Sequence, residues 1–109
     1  MRLIPIIFFF LIPFLSNSQT VCTAESKERL DAYLLKLSEM DLSEKSPNVR
    51  IFEIGQWFLN TPYVEKTLEL PGEEKLVINL IGLDCTTYLE TVVTLARLAQ
   101  KGEYSFEDY

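Results

Sequence analysis

The sequence of 109 residues holds two cysteines, and one of them, Cys85, follows Asp84 at the start of a predicted helix. If Asp84 caps that helix, Cys85 occupies its first turn. Free N–H groups and the positive end of the helix dipole there favour a thiolate. A free thiol titrates near ~8.5, and cysteines in such positions are lowered by roughly one to several units. The backbone N–H of Cys85, unpaired within the helix, is placed to donate to an oxyanion on an attacked carbonyl. The adjacent Asp84 carboxylate opposes a thiolate, an effect that weakens if the N–H groups of Thr86 or Thr87 occupy it in its capping role. On local features alone, Cys85 is either a nucleophile or a small, buried, inert core residue. Cysteine catalysis also needs a proton acceptor, ordinarily histidine, and the sequence contains none.

The elements around Cys85 must hold it at a rim that a substrate can reach. Lys75 to Leu80 alternates like a strand, Ile81-Gly82-Leu83 makes a bend, and a helix runs from Asp84 to about Gln100 before Lys101-Gly102. Its apolar positions include Tyr88, Leu89, Val92, Val93, Ala96 and Ala99. Upstream, Thr67 to Leu70 reads as a short strand, and Pro71-Gly72 has the order of a type II turn, so a hairpin with Lys75–Leu80 is expected. Two further helices are expected before it. One spans about Ser26 to Met40, with Leu30, Tyr33, Leu34, Leu37 and Met40 on its apolar face. The other starts at Ser46-Pro47, carries Val49, Phe52, Trp57 and Phe58 on its bulky side, and stops near Leu59-Asn60.

Residues 1–18 have a separate character. Met1-Arg2 precedes an apolar run from Leu3 to Leu15, and Ser16-Asn17-Ser18 supplies small residues ahead of Gln19. The run is too short to span a bilayer and suits a cleaved export signal, so no stable membrane span is expected afterwards. A lipidated Cys22 fits poorly, because Val21 is not the small residue such signals want. Losing Arg2 takes the net charge from −6 to −7, a balance that argues against nucleic acid and anionic membranes as partners. An oxidising compartment permits a Cys22–Cys85 disulfide. The polar segment Gln19 to Ser26 reads as a frayed terminus, which disfavours it.

The stretch Leu80-Ile81-Gly82-Leu83-Asp84-Cys85-Thr86-Thr87-Tyr88-Leu89-Glu90 resembles the nucleophile motif of the N-acetylmuramoyl-L-alanine amidase-like family, within the NlpC-type, papain-like cysteine peptidases. Phe58-Leu59-Asn60-Thr61-Pro62-Tyr63-Val64, followed by Thr67-Leu68-Glu69, resembles the family's second motif. Together the two cover residues ~46–109, in the family's order. The resemblance implies an exported murein amidase or peptidase acting on a peptidoglycan stem peptide or muropeptide, with Cys85 as nucleophile and no metal or cofactor. It places Tyr63 at the cleft as a substrate-side or oxyanion contact, and Asp84 at the helix start, in reach of substrate. Each has an alternative: Tyr63 packs on Trp57 and Phe58, and Glu69 is a solvated carboxylate.

The fold expected is α+β, a papain-like NlpC-type domain in truncated form. Residues 1–18 form the signal, 19–45 a helical segment, and 46–109 the first part of the catalytic domain. Ser105-Phe106-Glu107-Asp108 has the form of a helix start just before the sequence ends, and the family's base histidine is expected beyond Tyr109. The rival reading is a non-catalytic, exported murein-binding or pseudoenzyme remnant, which takes the missing histidine at face value. A third is a small helical secreted protein stapled by Cys22–Cys85.

Overall fold

The computed structural model describes residues 20–109, so the apolar segment read as an export signal lies outside the described residues. Thr23 starts the first helix, α1 (Ala24–Glu39), by accepting the Ser26 N–H on its hydroxyl. Leu30, Leu34 and Leu37 line one face and are buried, with Tyr33 and Met40 packed at the margin, as the spacing predicts. The next helix, α2 (Pro47–Gly55), opens on Ser46, whose hydroxyl accepts the Val49 N–H, and a 3-10 turn at Gln56–Phe58 extends it.

The buried face of α2 differs from the expectation. Arg50, Ile54 and Phe58 point inward, whereas Val49 and Phe52 are 41% and 68% exposed. The cause is local. The Arg50 guanidinium donates to the carbonyls of Ser43 and Lys45 in the preceding loop, so a charged residue is hydrogen-bonded where an apolar one was expected. That rotation turns Val49 and Phe52 to solvent.

The expected hairpin does not form. Lys66 takes a left-handed φ of 60°, and the Glu69 N–H closes a turn on the Lys66 carbonyl at 3.1 Å, so Thr67–Leu70 is not extended. Gly72 has the positive φ of 98° that a type II turn needs there, yet the segments flanking it do not pair. Instead, the strand β1 (Thr20–Cys22) pairs in parallel with β2 (Leu76–Ile78), Thr20 facing Leu76 and Cys22 facing Ile78. The segment expected to fray is therefore a strand, and the sheet among the described residues is parallel. Parallel strands need a long crossover, which α1 and α2 supply.

The last helix, α3 (Cys85–Lys101), ends as predicted on Gly102 in the left-handed conformation, φ 68°. Val92, Leu95, Ala96, Leu98 and Ala99 enter the core, while Leu89 and Val93 face out at 58% and 36% exposure. Ser105 and Asp108 cap each other reciprocally around a closing 3-10 turn, Phe106–Asp108. The result is a small α+β arrangement in which α1, α2 and α3 share one core with Leu42, Leu80 and Leu83. Among the described residues, no helix is long and apolar enough to cross a membrane.

Candidate active site

Two segments distant in sequence meet beside Cys85. The Asn79 side-chain carbonyl accepts the N–H groups of Ile81 and Gly82, at 3.0 and 3.1 Å, and so folds the predicted bend. The bend lies against Thr61-Pro62-Tyr63-Val64. Leu83 N–H donates to the Pro62 carbonyl at 3.0 Å, Val64 N–H donates to the Leu83 carbonyl at 3.2 Å, and Tyr63 and Leu83 form an isolated parallel bridge. Glycine is required at position 82 by this approach. A Cβ there would stand 2.6 Å from Val64 Cγ2 and 2.8 Å from Val64 Cβ.

Asp84 caps α3 through a reciprocal pair with Thr87. Its carboxylate accepts the Thr87 N–H at 2.8 Å and the Thr87 hydroxyl at 2.9 Å, and its own N–H donates to Thr87 Oγ1 at 2.9 Å. The Thr87 N–H, and after it the Thr87 hydroxyl, hold the Asp84 carboxyl below its ordinary pKa. Asp84 is thus ionised and already occupied by donors, which makes it a poor proton acceptor.

Cys85 is the first residue of α3, and its side chain is exposed. Its sulfur lies 4.0 Å from Thr86 Oγ1. Both cysteines are free thiols, so the stapled reading falls. Cys22 is half-buried on β1, and burial pushes its thiol pKa up. Cys22 lies on β1 and Cys85 at the first position of α3.

Cys85, Asp84 and Tyr63 line one open cleft of about 220 Å³, with Phe58, Thr61, Leu83 and Tyr88. Tyr63 does not pack on Trp57 and Phe58, as the alternative reading had it. It is 66% exposed, while those two rings stack around Tyr33 at centroid distances of 5.8 and 4.8 Å. The Tyr63 hydroxyl reaches Glu65 Oε1 at 3.4 Å. Partial desolvation, then the charges of Glu65 and of the Cys85 and Asp84 groups, raise its pKa. It therefore stays a protonated hydroxyl, and Glu65 accepts its hydrogen bond here.

The sequence reading placed Tyr88 among core positions and missed its role as a cleft wall. Its hydroxyl donates to the Gly55 carbonyl at 3.1 Å, and its ring sits edge-on to Phe58 at 6.1 Å, tying α2 to α3 under the cleft. The signal was Gly55 inside a helix, since a Cβ there would stand 2.8 Å from the Tyr88 hydroxyl. A larger cavity of about 470 Å³ lies between Leu68–Leu70 and Glu74–Val77, but its walls hold neither cysteine.

The family model described as N-acetylmuramoyl-L-alanine amidase-like (AmiA-like) matches residues 53–107, a span that contains Tyr63, Asp84 and Cys85. No curated protein and no solved structure matches the chain.

Proposed function

The chain belongs to the N-acetylmuramoyl-L-alanine amidase-like family, whose function is of the cell-wall amidase kind, and from that premise we propose that it cleaves a murein amide through Cys85. One observation carries the reading. The Tyr63–Leu83 bridge brings the two motif segments together, so that a helix-start thiol and a protonated phenol face the same cleft. The Cys85 thiolate attacks the amide carbonyl and forms a carbon–sulfur bond. The Cys85 backbone N–H and the Tyr63 hydroxyl donate to the resulting oxyanion. The carbon–nitrogen bond then breaks, the leaving amine takes a proton, and water hydrolyses the thioester to return the thiolate. An NlpC-type, papain-like ancestry is part of the same proposal, supported by a cysteine that follows a strand and a bend at a helix start.

Neither close neighbour is suited to take the thiol proton. Asp84 is held ionised by Thr87, and Tyr63 keeps its own proton more tightly than usual. We therefore expect these 109 residues by themselves to be inactive, with an imidazole base supplied from outside them. The same observation favours a second reading, an exported murein binder without catalysis. We also propose that residues 1–18 direct export, on the strength of the apolar run and the small residues before Gln19.

The test uses muropeptide with and without added imidazole. Turnover that appears with imidazole and vanishes in Cys85→Ala is the expected result. Turnover unchanged in Cys85→Ala refutes the nucleophile. Tight binding with no turnover at any imidazole concentration favours the binder. Export is checked by fractionation and by sequencing the mature N-terminus.

A further inference from the structure

We propose that Tyr88 is a positioning residue for the Cys85 chemistry: its hydroxyl, bound to the Gly55 carbonyl, sets how far the Phe58–Tyr63 wall of the cleft stands from the thiol. The inference rests on the reading of Cys85 as nucleophile. It concerns the hydroxyl of Tyr88 rather than its ring.

The cleft is the space between two stretches of chain that are joined at both ends. At one end the Leu83 backbone bonds Pro62 and Val64, at 3.0 and 3.2 Å. At the other the Tyr88 hydroxyl donates to the Gly55 carbonyl at 3.1 Å. Every residue lining the cleft falls within 55–64 or 83–88. Cys85 lies between the two joints on one stretch, and Phe58 and Thr61 lie between them on the other. The first joint is backbone to backbone. The second is a single side-chain bond, so the distance across the cleft depends on it.

Two further observations separate the hydroxyl from ordinary packing. A Cβ at Gly55 would stand 2.8 Å from the Tyr88 oxygen but 3.9 Å from the ring carbon that carries it. The missing side chain at position 55 therefore makes room for the oxygen and not for the ring. Tyr88 is also 40% exposed, so water could satisfy both the hydroxyl and the Gly55 carbonyl if the bond were absent. A bond of that kind adds little stability. What it fixes is a place. Gly55 ends α2, where the last carbonyls lack α-helical donors, and Tyr88 supplies one. Tyr88 follows Cys85 by three residues, so the two share one side of α3 and move together. Attack needs the carbonyl carbon held about 3–3.5 Å from the sulfur, and a displacement of about 1 Å costs on the order of a hundredfold in rate.

The experiment follows imidazole-assisted muropeptide turnover by the full chain, with Tyr88→Phe, Gly55→Ala and the two combined. Tyr88→Phe removes one oxygen and keeps the ring against Phe58. Gly55 has the helical angles φ −56° and ψ −34°, which alanine adopts readily, so Gly55→Ala displaces the hydroxyl without disturbing its own backbone. Melting followed by circular dichroism sets an assay temperature at which every variant is folded. Each single substitution is expected to lower kcat about tenfold with KM changed less than about twofold. The combination should be no slower than the slower single, because both remove the same bond. A merely structural hydroxyl would move Tm and leave the kcat of folded protein unchanged, and that result overturns the proposal. So does a loss in Tyr88→Phe without one in Gly55→Ala, which would put the hydroxyl on the substrate, and so do losses that multiply. All three leave Cys85 standing as nucleophile. If the unsubstituted chain shows no turnover with imidazole, or Cys85→Ala retains it, the nucleophile reading fails and the role of Tyr88 with it.

Discussion

Replacing Gly82 with alanine tests whether the approach of two backbone segments, rather than either motif alone, builds the cleft. The added Cβ meets Val64 Cγ2 at 2.6 Å and Val64 Cβ at 2.8 Å, where ordinary contact begins at 3.4 Å. Rotation about χ1 can remove the methyl but not Cβ, so the Pro62–Val64 backbone must retreat by roughly 0.6 Å or more. The bonds it makes with Leu83, now 3.0 and 3.2 Å, then lengthen past useful geometry. Two backbone bonds at about 0.5–1.5 kcal/mol each, with overpacking adding about 1 kcal/mol, put the gross cost at about 2–4 kcal/mol. Alanine recovers ~0.4–1 kcal/mol by restricting the unfolded chain. The net loss of about 2 kcal/mol lowers Tm by roughly 8–16 °C for a domain of this size. Thermal unfolding followed by circular dichroism measures it. Val64→Gly removes both clashing atoms, so the double variant should recover about 1 kcal/mol relative to the sum of the singles. An unchanged Tm for Gly82→Ala, or strict additivity with Val64→Gly, would refute the reasoning.

Other outcomes follow from the same structure. Because the folded-state pKa of Asp84 is depressed, its contribution to stability is present above the ordinary carboxylate range and is lost as pH falls through and below it. Unfolding midpoints measured down the acid limb should therefore fall less steeply in Asp84→Asn, with Asp108, depressed by Ser105, supplying part of what remains. Ser26→Ala leaves the buried Leu80 N–H without its 3.2 Å acceptor and should cost ~1–3 kcal/mol in denaturant unfolding, while Thr23 still caps α1. A thiol titration of the folded protein should count two free thiols, with the exposed Cys85 alkylated first. Cys22, its pKa raised by burial, should react more slowly and need higher pH, and equal rates for the two would contradict their placement.

Much of the local structure was legible because its causes are local. Asp84 and Gly102 bound α3 through hydrogen bonds within a few residues, and Ser46-Pro47 starts α2 in the same way. The Ser105–Asp108 cap is likewise written in four residues. Where a side chain's partner lay elsewhere, periodicity misled. The apolar side of α2 was expected to run through Val49 and Phe52, whereas Arg50 takes the buried side because two loop carbonyls satisfy its guanidinium. Thr67–Leu70 looked like a strand, but a single left-handed residue at Lys66 turned it. Nothing near Thr20–Cys22 announced a strand, since its partner lies more than fifty residues away.

The candidate site divides along the same line. The sequence by itself determined that Cys85 begins a helix behind an aspartate cap, because that cap closes within Asp84–Thr87. It could also single out Tyr63 by its neighbours in a motif. Only the tertiary structure decided that Tyr63 faces Cys85 instead of packing on Trp57 and Phe58, and that Tyr88 walls the cleft. Those outcomes depend on the Pro62–Leu83 and Val64–Leu83 bonds and on the bare Cα of Gly82. They join segments about twenty residues apart, at a distance where helical and strand periodicity carry no information.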